Sequence, residues 1–142
     1  MPPLEILFAA SVYGLIVIIP MWAILQGGEA ERLSAIILIA STVLTYFATW
    51  ISSWHPSGPL VLLLDGITAL CFLFVALNFH HFWLALIMFC TAGHFALHAY
   101  YLAASQPVDR DFANLANLAT LLILLALAQG VWSSRRRSSG RT

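Results

Sequence analysis

The chain places Cys90, His94 and His98 four residues apart in "CTAGHFALH", within a run of apolar side chains. On a helix this spacing advances about 40° per step, so the three residues keep to one face. A thiol and two imidazoles on one face suggest metal ligation, axial ligation of a flat cofactor, or proton exchange. The metal reading lacks a known signature: Phe95 stands where HExxH would place its glutamate, and Cys71 and Cys90 form no CxxC. No metal is expected from the sequence. A haem or a chlorophyll-type pigment needs one axial histidine, His94 or His98, beside a flat apolar space, and Ala92, Gly93 and Ala96 would supply that space. Proton exchange needs a partner such as a carboxylate, and Asp65 offers one.

Whether Asp65 can reach these histidines depends on the elements that carry them. Hydrophobic residues make up 61% of the 142 positions and charged ones 8%, which excludes a water-soluble domain. Apolar run length, punctuated by Gly, Pro and charge, predicts an all-α polytopic transmembrane bundle of five spans, at 4–25, 33–54, 60–79, 82–103 and 113–132. Together they form a single domain over 1–132, followed by a basic tail at 133–142. Reading His80 and His81 as part of a re-entrant segment leaves the alternative of four spans. Trp22, Trp54, Trp83 and Trp132, with Tyr100 and Tyr101, fall near span ends, as headgroup-layer aromatics do. Arg135, Arg136, Arg137 and Arg141 place the C-terminus in the cytoplasm, and five spans then place the N-terminus outside.

A rise of about 1.5 Å per residue converts this topology into depth. Asp65 and His98 come out level, about 7 and 8 Å to the outer side of the midplane, with His94 near the midplane and Cys90 a turn deeper. Asn117 reaches the same layer, and Ser11 and Thr49 approach it. A lone ionisable group there costs about 2.5 to 3.5 kcal/mol, so Asp65 calls for a partner. Asp65, His98 and Asn117 would then form either a proton-handling site or hydrogen-bonded glue between helices. Glu29 and Glu31 read as a solvated loop, Asp109 and Asp111 flank Arg110 in another, and GxSxG and P-loop patterns are absent. No catalytic residue and no enzyme activity is expected.

The stretch from Asp65 through Trp83 to His98, with "FHHFWLALIMFCTAGHFALH" at its end, resembles the core of short uncharacterised multi-span membrane proteins of alphaproteobacteria, which carry an Asp, an interfacial Trp and a His about two helical lengths along. His80 and His81 stand where those proteins usually carry basic residues. The resemblance covers about half the chain and implies a membrane fold and no activity. The expected role is an accessory or scaffold subunit of a larger complex in the bacterial inner membrane. Its partners would be the lipid bilayer and other membrane subunits or further copies of itself, and not nucleic acid. The alternatives are a proton-coupled or small-solute carrier using Asp65 and His98, and a haem-, pigment- or quinone-binding subunit using His94 or His98.

Overall fold

Long apolar runs favour helices that satisfy their own backbone, the form a bilayer requires. The computed structural model describes residues 3–51 and 58–139, all helix and short connections among the described residues. The helices are α1 (Pro3–Gln26), α2 (Glu29–Ile51), α3 (Pro59–Phe79), α4 (Phe82–Ala103) and α5 (Arg110–Ser139). Helices α2 to α5 are each long and apolar enough to cross a membrane, and α1 adds the apolar stretch Ala10–Gln26. Leu25, Ile36, Phe74, Phe82 and Phe89 turn outward, whereas Glu31 and Asp65 are buried. An apolar outside around acidic side chains suits lipid rather than water as the surrounding medium.

The chain ends its helices with local chemistry. His80 takes the left-handed conformation (φ 52°), and its backbone N–H donates to Ala76 O, closing α3 before His81 opens α4. The two histidines are thus the whole α3–α4 connection, and α3 and α4 are separate full-length helices. At the far end of α4, Ser105 is left-handed (φ 49°), Gln106 N–H reaches Tyr101 O and Ser105 N–H reaches Leu102 O. This is a Schellman closure, with Pro107 just beyond it.

Each helix packs on its neighbour in sequence, and α1 packs on α5, so the five form a closed ring. The ring has two unlike halves. The lower half holds the ends joined by the α1–α2 and α3–α4 connections, and α2 also touches α5 across the ring. Its dry core includes Ala23, Ala35, Phe72, Leu84, Ile87, Leu124 and Val131. The upper half, where α3 and α5 begin, is held apart by a cavity.

Three expectations change. Glu31 belongs to the first turn of α2 and is only 2% exposed, because the helix starts at Glu29 and turns that side chain inward. Helix α5 continues through Ser133 to Ser139, because arginine and serine mark where a helix leaves the bilayer without ending it. Trp83 is buried against Gly130 rather than displayed at the headgroup layer. Trp54, His55 and Arg141 lie outside the described residues.

Candidate functional site: a polar chamber and the Asp65 cluster

The cavity holds about 580 Å³ and is lined from all five helices. Its lower lining is Ile16, Leu38, Phe72 and Ile123, an apolar floor. Above them stand Tyr13 of α1, Ser41, Thr42, Thr45, Tyr46 and Thr49 of α2, Asp65 and Thr68 of α3, Thr91 and His94 of α4, and Thr120 of α5. Every lining residue above the floor carries a polar group, although carbon makes up most of the surface shown to the cavity. Tyr13 and Tyr46 are also exposed on the outer surface, so the chamber opens past them on the α1–α2 side.

The hydroxyls give the chamber a definite polarity. Ser41 and Thr42 donate to Leu38 O, Thr49 to Thr45 O, Thr68 to Leu64 O, Thr91 to Ile87 O and Thr120 to Ala116 O, over 2.7 to 3.0 Å. Each spends its one proton on its own helix, so what remains for the cavity is lone pairs. Pro20, inside α1, has no N–H to give the carbonyl of Ile16, leaving that acceptor at the floor without its usual donor. This part of the wall favours donors and cations, while the hydroxyls of Tyr13, Thr45 and Tyr46 keep protons of their own.

Asp65 and the histidines meet in the chamber's side. His98 Nδ1 lies 2.7 Å and His94 Nδ1 3.6 Å from the same carboxylate oxygen, Asp65 Oδ2. The imidazoles are one turn apart on α4, with ring centres 4.6 Å apart. His98 is 5% exposed, while His94 is half-buried and faces the chamber. Behind His98 the ring of Phe112 stacks at 5.0 Å, and Tyr101 packs edge-on against Phe112 at 4.8 Å. Asp109 Oδ1 ties this packing to the start of α5, accepting from Phe112 N–H (2.9 Å) and from the Tyr101 hydroxyl (2.8 Å). These two donors, the Phe112 amide first, hold the Asp109 carboxyl below its ordinary range.

Of the residues singled out in the sequence, Asp65, His98 and His94 come together, and Thr49 shares their chamber. Asn117 is half-buried and makes no hydrogen bond to Asp65 or His98, and Ser11 faces outward with its hydroxyl on Leu7 O. Cys90 packs at the edge of the dry core. Ala92, Gly93 and Ala96 are exposed on the outer face of α4, so the flat space they would offer a haem or pigment is not beside His94 or His98. The sequence reading missed the polar face of α2. Ser41, Thr42, Thr45, Tyr46 and Thr49 recur at three- and four-residue steps, a stripe visible in the sequence once a near-neutral threonine is counted as polar. Searches against protein-family models, curated proteins and solved structures find no match to this chain.

Proposed function

We propose that this protein is a small membrane carrier whose chamber takes up a small cationic solute, with Asp65 and His98 as the charge-handling pair. The observation that carries the reading is the chamber itself, a space with room for roughly 20 waters whose walls set hydroxyls, one imidazole and one carboxylate among apolar surface. Helix-to-helix glue needs no such volume. With the C-terminus in the cytoplasm of a bacterial inner-membrane protein, the chamber faces outward and its apolar floor closes it to the inside. The expectation of an accessory subunit draws instead on the small faces Ala10 to Gly14 and Ala92 to Ala96, both turned outward, where other helices could approach closely.

Access to the chamber separates the two roles. A Thr45→Cys variant, in a background with Cys71 and Cys90 replaced by Ala, is labelled in sealed vesicles with membrane-impermeant thiol reagents added to one side or the other. A carrier exposes the site to both sides in turn, so labelling is expected from both. A cationic reagent should outpace an anionic one, and Asp65→Asn should shrink that preference. Labelling from one side only overturns the carrier reading and leaves the accessory role.

A further inference from the structure

The Asp65 cluster contains one more group than an ion pair requires. Two imidazole nitrogens converge on a single carboxylate oxygen. His98 Nδ1 and Asp65 Oδ2, at 2.7 Å, are close enough to bond, yet both are buried without a partner in hydrogen-bonding line. Three potential ligand atoms, one each from Asp65, His94 and His98, all lie within 4.8 Å of one another. Bonds of about 2.1 Å place neighbouring ligand atoms about 3.0 Å apart in an octahedral site and about 3.4 Å apart in a tetrahedral one. The separations of 2.7 and 3.6 Å bracket both values. A carboxylate can neutralise one imidazolium but not two, whereas a divalent cation would use the lone pairs of both neutral rings together with the carboxylate.

We propose that Asp65, His94 and His98 form a binding site for a divalent first-row transition metal ion and, resting on the carrier reading, that this ion is what the chamber takes up. The donor set gives the class. Two imidazoles and one carboxylate suit borderline ions such as zinc, cobalt, nickel, manganese or ferrous iron, whereas magnesium and calcium call for oxygen ligands throughout. Asp65 and His94 both line the chamber, so an ion reaches the site from there. The hydroxyl oxygen of Thr91, one turn from His94 on the same wall, can accept from a metal-bound water. The row on α4 is not itself the ligand set: the third ligand, Asp65, comes from α3, while Cys90, which completes the row, is not part of the cluster.

The test is titration of the purified full chain, in detergent and free of other metals, with cobalt(II). Binding is expected at one ion per chain, with visible d–d absorption. Asp65→Asn, His94→Gln and His98→Gln should each weaken it by at least about tenfold, as ligand loss does. His94 is half-buried at the chamber wall, so His94→Gln gives a readout even where a variant of the more buried Asp65 or His98 fails to fold. The double variant His80→Gln, His81→Gln removes the histidines of the α3–α4 turn and should leave binding unchanged. Absence of binding in the folded wild type, or loss only in the turn variant, overturns the metal site. Failure of cobalt binding with two-sided labelling at position 45 sinks this inference and spares the carrier reading. Cobalt binding with one-sided labelling keeps the site as a resident metal centre and removes the ion as cargo.

Discussion

Asp109 shows how a single residue can tie two helices together behind the Asp65 cluster. Its Oδ1 caps α5 through Phe112 N–H and clamps the end of α4 through Tyr101, and Phe112 in turn backs His98. A carboxyl held below its unfolded value contributes stability that is fully present above that value, about 3.9, and is lost as pH falls through the lower folded value. The capping contribution should therefore be flat from neutral pH down to about 4 and fade only below it. Comparing thermal stability of wild type and Asp109→Asn across this range isolates the effect from other carboxyls. The gap should change only at the acid end, and a gap that changes between pH 5 and 8 would mean that another group is responsible. The Asp65–His98 pairing was legible from helical rise alone. His94 was not, because counting turns assigns it a different depth while a carboxylate between two turns reaches both. Asn117 fails for the complementary reason: rise gives height, and only the rotation of α5 in the ring determines which way its side chain points.

Helix limits were the most legible feature, since α4 spans Phe82–Ala103 as run length predicts and α3 differs by one residue at its start. Facing was less so. Trp83 looks like an interfacial anchor in sequence, yet it is 4% exposed and lies flat against α5, where Gly130 lets the helices approach. A Cβ at position 130 would stand 2.7 Å from Trp83 Cε2 and 2.9 Å from Cδ2, contacts that a rigid buried indole cannot relieve by bending. Gly130→Ala should cost about 1 to 3 kcal/mol, as overpacking does. At Gly93, by contrast, a Cβ meets nothing within 4 Å. Gly93→Ala should be neutral or stabilise by up to about 1 kcal/mol through helix propensity. Detergent unfolding of both variants checks the pair, and equal effects would mean that α4 does not sit on α5 as described.

The whole molecule divides by chemistry along its long axis, and that division comes from placing an apolar residue at one height on four of the five helices. Descending the ring, Thr68 gives way to Phe72 on α3 and Thr120 to Ile123 on α5, while on α2 Ser41 gives way to Leu38. No single segment reveals this floor, because α1, α2, α3 and α5 each contribute one apolar side chain to a span that is apolar anyway. On the proposed carrier reading, the floor rather than the full length of the bundle would be the barrier to ions. Phe72→Ala removes the largest floor side chain, which is almost wholly buried, and should cost about 3 to 5 kcal/mol. In vesicles loaded with a pH-sensitive dye it should also speed the collapse of an imposed proton gradient. Val61→Ala supplies the control, because Val61 is equally buried but does not line the chamber. It should lose stability without leaking. Equal leakage from both variants would mean that proton flux follows general loosening of the bundle, and the floor would then not be the barrier.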